Sequence, residues 1–131
     1  MTLNPFNFYT TPGIRFGNGQ AKDSCKEIFK QLGSRILFIT DKGLMSLGLT
    51  KPTIEELKKM GSVEVFDDVE ADPSQKTLLK AIDAGKKFKA TGVIGFGGGS
   101  SMDVAKLSAL ILGSNEDLEK AWGVANAKGP R

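Results

Sequence analysis

The sequence predicts an α/β fold built on a parallel β-sheet. Three short runs of apolar, β-forming residues begin near residues 36, 63 and 93, and helical patterns lie between them. The spacing of these runs is close to the roughly 30 residues of one strand-helix-strand unit. Successive strands of such units run parallel, and their carboxyl ends lie along one edge of the sheet, where ligands usually bind.

The N-terminal part predicts a hairpin followed by a helix. Phe6 and Phe8 precede the turn at 10–13, Ile14 and Phe16 follow it, and polar residues alternate with them, which predicts a β-hairpin over 5–17. Five residues then share one helical stripe, which Gly33 ends: Ala21, Cys25, Ile28, Phe29 and Leu32. Cys25 is therefore expected in the core.

The core is predicted over 20–113 and contains three strands, at 36–40, 63–66 and 93–96. The helix before the second strand is expected to start at a capping box, Thr53 with Glu56. The next helix is expected to start at Asp72-Pro73, with Asp72 as its N-cap. A long apolar helix then runs from Met102 to Leu112, and residues 114–131 have the composition of a linker-like tail.

Three consecutive glycines, 97–99, lie between the third strand and the last helix. Backbone N–H groups free of side chains, together with the positive end of a helix, form a cradle for phosphate, here at the three glycines. The alternative is a sharp turn with a capping box formed by Ser100 and Asp103. The order of the glycines fits neither the standard dinucleotide fingerprint nor the Walker pattern.

Asp41 lies at the carboxyl end of the first strand. A carboxylate there can accept hydrogen bonds from a ribose diol and repels a 2′-phosphate, so if the site binds a dinucleotide, the sequence predicts NAD in preference to NADP. The local alternative is that Asp41 caps a short helix over 42–47. Asp72 has the same two interpretations, as a helix cap and as a cofactor contact at the same edge of the sheet.

Composition restricts the class of protein. The 131 residues fit one domain, and the 16 glycines exceed the usual share, whereas the chain contains no histidine, which excludes imidazole chemistry and histidine metal ligands within it. A single cysteine and the lack of a targeting or membrane-spanning segment predict a cytoplasmic protein. The dispersed basic residues, despite a net charge of +3, predict no nucleic-acid partner.

The run from Gly97 to Lys106, GGGSSMDVAK, resembles the GGGSxxDxAK signature of the iron-containing (group III) alcohol dehydrogenases. Shorter segments in the same order support the resemblance: 16–19, 39–42 and 69–73. It implies a Rossmann-like, NAD-binding α/β domain over residues 1–131. It also implies that the helical domain that carries Fe²⁺ or another divalent metal is absent from this chain.

The resemblance implies roles for residues by position. Asp41 holds the adenosine ribose, Gly98, Gly99 and Ser100 bind the pyrophosphate, and Asp103 lies near the nicotinamide. Asp72 stands where many members have asparagine, which leaves its contact with the cofactor open. The implied activity is hydride transfer between NAD and a small alcohol, aldehyde or ketone.

The chain is expected to supply no catalytic or metal-ligating residue, to be inactive alone and to bind dinucleotide weakly. A homodimer through the hairpin edges is possible. Two alternatives stay open at this point. One is a stand-alone nucleotide- or phosphate-binding module without catalysis. The other is a relative of the glycerol dehydrogenase or dehydroquinate synthase branch.

Overall fold

The computed structural model describes residues 13–121 and 126–129. Helices and parallel strands alternate within these ranges, as the sequence predicts. In chain order they are α1 (Gln20–Asp23), α2 (Cys25–Leu32), β1 (Arg35–Ile39), α3 (Lys42–Ser46), α4 (Lys51–Lys58), β2 (Ser62–Phe66), α5 (Gln75–Phe88), β3 (Gly92–Gly95), α6 (Gly99–Ser114) and a 3-10 turn (Leu118–Ala121).

The three strands form one parallel sheet in the order β2-β1-β3. Ile36 of the central strand lies opposite Val63 of β2 on one side and Gly92 of β3 on the other. The four residues from Ile36 to Ile39 are completely buried, as a parallel strand covered by helices on both faces requires. The predicted fold class is confirmed, and each strand begins one residue before its predicted start.

Helices cover both faces of the sheet and divide the core into two clusters. Leu37 and Ile39 of β1 pack with buried residues of α5 and α6 on one face. Phe38 points to the opposite face, because side chains alternate along a strand, and packs there with Cys25 of α2 and with α4. Burial raises the pKa of the Cys25 thiol, which disfavours the reactive thiolate and fits its predicted place in the core.

The predicted start of α4 is wrong. The helix begins at Lys51, directly after Thr50, with Pro52 in its first turn. Thr53 is therefore a buried residue inside the helix, and it does not form a capping box with Glu56. Proline fits the first turn because its missing N–H has no partner there in any helix.

The predicted N-cap of α5 is also wrong. Ser74 takes this position, and its Oγ accepts a hydrogen bond from the N–H of Thr77 at 3.3 Å. Asp72 lies two residues earlier, in a left-handed backbone conformation with φ 53°. Both residue types suit an N-cap, and Ser74 is the one whose backbone is extended, as the cap requires.

The predicted hairpin lies largely outside the described residues. Of its second arm, residues 13–16 have no regular secondary structure, and Ile14 and Phe16 are exposed. A strand needs a hydrogen-bonded neighbour, and the described sheet contains only β1, β2 and β3. Residues 13–16 therefore pair with no strand of this sheet.

The predicted tail begins where α6 ends. Asn115, at φ 54°, terminates the helix, two residues later than the predicted stop at Gly113. The N–H of Lys128 donates to Oε1 of Glu116 at 3.0 Å, which returns the chain to the end of α6. Among the helices described here, none is long and apolar enough to cross a membrane.

Candidate functional site

The sheet order places the switch point of the sheet, here called the crevice, at the carboxyl ends of β1 and β3. The chain leaves β1 to form β2 on one side and then forms β3 on the other, so the connections diverge between β1 and β3. Ligands of open α/β sheets bind at such a divergence. Asp41 follows β1 and the glycines at 97–99 follow β3, so the fold brings these predicted site residues to one crevice.

The three glycines have different structural requirements. Gly97 has φ 138°, and a Cβ on it would lie 2.9 Å from Cδ1 of Leu44, so the fold itself requires glycine there. Gly98 has an ordinary extended backbone, and a Cβ added to Gly98 or Gly99 would meet no atom within 4 Å. A sharp turn therefore explains Gly97 but leaves the bare backbone of Gly98 and Gly99 without a packing reason.

The N-terminus of α6 is open. Gly98 is its N-cap, and no side chain accepts a hydrogen bond from its first turn. The predicted capping box is therefore wrong, because Ser100 lies inside the helix and the carboxylate of Asp103 pairs with Lys106 at 3.5 Å. The first N–H groups of a 16-residue helix are directed toward the crevice end of β3 and suit an anion.

Asp41 has two neighbours at this site. Its Oδ1 accepts a hydrogen bond from the N–H of Leu44 at 2.9 Å, so Asp41 is the N-cap of α3, as its local interpretation predicts. Its Oδ2 lies 3.4 Å from the position of a Cβ on Gly97. One carboxylate oxygen thus stabilises α3 and the other lies beside the glycine loop.

Gly95, just before the loop, allows α6 to approach β3 closely. A Cβ on Gly95 would lie 2.7 Å from Cβ of Ala105 and 3.1 Å from the carbonyl oxygen of Ser101. Close contact between helix and strand is one of the functions of glycine in dinucleotide-binding turns. The start of α6 is therefore held firmly against the end of β3.

Asp72 and Asp103 lie together in a second region. Both are exposed, and both line a groove of about 530 Å³ between the start of α5 and the side of α6. Its walls are largely apolar, formed by Leu78, Val104, Leu107, Leu110 and Leu118. Asp41 does not line this groove, so the six predicted site residues divide between the crevice and the groove.

Glu70 is a structural carboxylate that the sequence patterns above do not predict. Its Oε1 accepts hydrogen bonds from the N–H and Oγ of Ser74 at 3.0 Å, and Oγ1 of Thr77 lies 2.6 Å away. These hydrogen bonds, first that from the Ser74 backbone, lower the pKa of Glu70 to about 2. The spacing of Glu70, Ser74 and Thr77 at four and three residues is the signal in the sequence.

An ion pair beside Asp41 was missed as well. Asp68, which follows β2, forms an isolated antiparallel bridge with Asp41, and its carboxylate pairs with the ammonium of Lys42. The hydrogen bond and the opposite charge raise the pKa of Lys42 and lower that of Asp68. No local spacing indicates this pair, because its members come from two different loops.

The sequence model of the iron-containing alcohol dehydrogenases matches residues 11–130. The chain belongs to this family. Members of the iron-containing alcohol dehydrogenase family are oxidoreductases, and its relatives act on alcohols and aldehydes. The recognised signature, from Gly97 to Lys106, spans the loop and the start of α6 described above.

Individual members of the family align with nearly the whole chain. It is 32% identical over 121 residues to the sulfoacetaldehyde reductase of Bilophila wadsworthia. This alignment covers 91% of this chain and 31% of that protein. It is 28% identical over 126 residues to the NAD-dependent methanol dehydrogenase of Bacillus methanolicus, with coverages of 95% and 33%. The chain therefore spans about a third of the length of these relatives.

A solved structure shares the fold. The crystal structure of sulfoacetaldehyde reductase from Bifidobacterium kashiwanohense in complex with NAD⁺ superposes with a TM-score of 0.73 at 28% identity. The match covers 93% of this chain and 32% of that one. The iron-containing alcohol dehydrogenase fold thus extends over both regions where the predicted site residues lie.

The residues of this chain do not fit the metal of the family. The sequence contains no histidine, and the part of the chain that the structure describes contains no group of three or more Asp, Glu or Cys residues able to hold a metal ion. Carboxylates and imidazoles are the usual ligands of a catalytic divalent metal. The described part of the chain therefore supplies no set of ligands for such a metal.

Proposed function

We propose that this chain is the cofactor-binding part of an NAD-dependent, divalent-metal-dependent alcohol dehydrogenase. The observation that carries the proposal is the exposed backbone of Gly98 and Gly99 at the uncapped start of α6. The fold leaves open space around both residues, which suits close approach of a ligand to the backbone. When bound, the nicotinamide accepts or returns the hydride that interconverts an alcohol with an aldehyde or ketone.

In this proposal, the pyrophosphate binds at the loop. Its charge is opposite to that of the helix N-terminus, and the N–H groups of Gly99 and Ser100 donate to it. Gly97 supports this surface indirectly, because its positive φ turns the chain from β3 into α6. No basic side chain is needed for this interaction.

Asp41 binds the adenosine ribose in the same proposal. The N–H of Leu44 holds the side chain in place through Oδ1, which leaves Oδ2 for the ribose hydroxyls. A 2′-phosphate at this position would meet a carboxylate, so NAD is preferred to NADP. The cap therefore orients the side chain that selects the cofactor.

In this proposal the groove between α5 and α6 binds the nicotinamide end of the cofactor. Asp103 lies near the reacting centre, and Asp72 lies on the α5 side of the groove. The apolar walls suit the nicotinamide ring, and a volume of about 530 Å³ leaves room for it. Both carboxylates are exposed, and they orient the cofactor without touching a metal. Asp72 has a left-handed backbone and lies two residues before Ser74, whose N–H and Oγ donate to Glu70, and it makes the lesser contact with the cofactor in this proposal.

The similar proteins support the cofactor and the reaction. One relative is an NAD-dependent methanol dehydrogenase, and one neighbouring structure is a complex with NAD⁺. Because the chain spans about a third of its relatives, the metal and most of the substrate wall would come from residues outside it. This chain alone would then be inactive and would bind dinucleotide weakly.

Location and assembly belong to the same proposal. A protein whose only cysteine is buried in the core suits a reducing compartment such as the cytoplasm. A homodimer stays a prediction, since the hairpin that suggested it lies largely outside the described residues.

The test uses the full-length protein that contains this chain, called the intact protein. It is titrated calorimetrically with NAD⁺ and with NADP⁺ and then assayed with primary alcohols before and after a chelator. We expect NAD⁺ to bind more tightly and alcohol-dependent formation of NADH to require the metal. A protein that bound neither dinucleotide would contradict the proposed function. Binding without turnover, with metal present, would instead favour a non-catalytic nucleotide-binding module.

A further inference from the structure

Lys42, the charged residue next to Asp41, suggests how the proposed ribose site would exclude NADP. Lys42 directly follows Asp41 and is the first residue of α3. Its ammonium is paired with the carboxylate of Asp68, and the bridge between Asp41 and Asp68 brings the two loops side by side. A lysine beside the ribose carboxylate is thus held by a residue of the neighbouring loop.

The charges at this edge are mainly negative. Asp41, Asp67 and Asp68 lie close to Lys42, and both Asp67 and Asp68 raise the pKa of its ammonium. Lys80 of α5 adds a second positive charge near Asp68. A 2′-phosphate carries about −1.5 to −2 charges at neutral pH, so it would be repelled unless a cation approached it. Lys42 is the cation adjacent to Asp41 in the chain.

The ion pair between Lys42 and Asp68 is exposed, so breaking it should leave the domain folded. The side chain of Lys42 is 72% exposed and that of Asp68 is 46% exposed. Ion pairs of this kind contribute little to stability. Loss of the Asp68 carboxylate would therefore change where the ammonium points rather than whether the domain folds.

We propose that Asp68 is a specificity-determining residue for the cofactor and that it acts through Lys42. Asp41 attracts the ribose hydroxyls of NAD, and Asp68 holds the ammonium of Lys42 away from the position that a 2′-phosphate would occupy. Discrimination against NADP then has two parts: repulsion by Asp41 and removal of a favourable cation by Asp68. The inference rests on the proposed function, because it requires the ribose to bind at Asp41.

The test measures binding, so it needs no catalytic turnover. The intact wild-type protein, Asp68→Ala and the double variant Asp68→Ala/Lys42→Met are titrated with ADP-ribose and with its 2′-phosphate. We expect Asp68→Ala to bind the 2′-phosphate about tenfold more tightly and ADP-ribose within about twofold of wild type. The double variant should lose the gain, since it lacks the ammonium.

Asp67→Ala is the matched control, because it removes the same charge at the next residue without breaking the pair with Lys42. It should change the affinity for the 2′-phosphate much less than Asp68→Ala does. An equal gain in Asp67→Ala, or a gain that persists in the double variant, overturns the role of Lys42. Unchanged affinities in Asp68→Ala overturn the inference alone, whereas a wild-type protein that binds neither ligand overturns the proposed function too.

Discussion

Oδ2 of Asp41 lies 3.4 Å from the position that a Cβ would take on Gly97. The carboxylate that follows β1 therefore lies beside the loop after β3, and the same aspartate caps α3 through its other oxygen. A Cβ on Gly97 would crowd Cδ1 of Leu44 at 2.9 Å and Oγ of Ser101 at 3.2 Å, and it would make an ordinary contact with this carboxylate. The loop that is proposed to bind pyrophosphate and the residue that is proposed to bind ribose are therefore one packed unit.

Gly98→Val should weaken NAD⁺ binding by about tenfold or more, which is at least about 1.4 kcal/mol. The added side chain fills open space, so it meets the ligand and not the protein. Calorimetry measures the affinity, and thermal unfolding checks that the fold is intact. Gly13→Val is the matched control, because its Cβ also meets nothing within 4 Å. Equal affinities in both variants would leave the loop without a binding role.

Gly97→Ala should reduce the free energy of unfolding by about 1 to 3 kcal/mol. Its φ of 138° disfavours any side chain, and the new Cβ would crowd Leu44 at 2.9 Å. Urea denaturation measures the change. Gly98→Ala, at the next residue, should stay within about 0.5 kcal/mol of wild type. Similar losses of stability in the two variants would contradict the finding that the fold requires glycine at position 97 but not at position 98.

Asp41→Ala and Asp41→Asn separate the cap from the cofactor contact. Alanine should cost about 1 kcal/mol of stability because it cannot accept the hydrogen bond from Leu44, whereas asparagine keeps the cap. Both variants should lose discrimination against NADP⁺, since both lack the charge. Denaturation and paired titrations with NAD⁺ and NADP⁺ measure the two effects. If both variants keep the wild-type preference, Asp41 is a helix cap only.

Glu70 should titrate far below an ordinary glutamate. Its pKa falls from 4.5 to about 2 in the folded chain, because Ser74 and Thr77 donate to the carboxylate. A depressed folded pKa contributes stability that is complete above the unfolded value near 4.5 and is lost as the pH falls toward 2. Carboxyl NMR of the protein measures the pKa directly.

Glu70→Gln provides the control for that titration. It should reduce the loss of stability between pH 4.5 and 2 relative to wild type, since the variant has no charge to neutralise. Unfolding curves across this range measure the difference. Parallel curves for the two proteins would show that the hydrogen bonds to Glu70 do not depress its pKa.

The sequence predicts the sheet and the loop because local signals define them. The apolar run of β1 and the three glycines after β3 have few other interpretations. The starts of α4 and α5 are harder to predict. Asp72 and Ser74, like Thr50 and Thr53, all suit an N-cap by residue type, and only the path of the backbone decides which of them takes that position. The Lys42–Asp68 pair depends on how the loops after β1 and β2 meet, which no short pattern encodes.

The open space around Gly98 and Gly99 has a consequence for selection experiments. A library screened only for expression or heat resistance would accept larger residues at these positions, because a Cβ there meets no protein atom within 4 Å. The same screen would reject changes at Gly97. Variants selected for stability alone would therefore lose the proposed binding surface of the loop without any loss of stability. A screen of this domain should include a ligand.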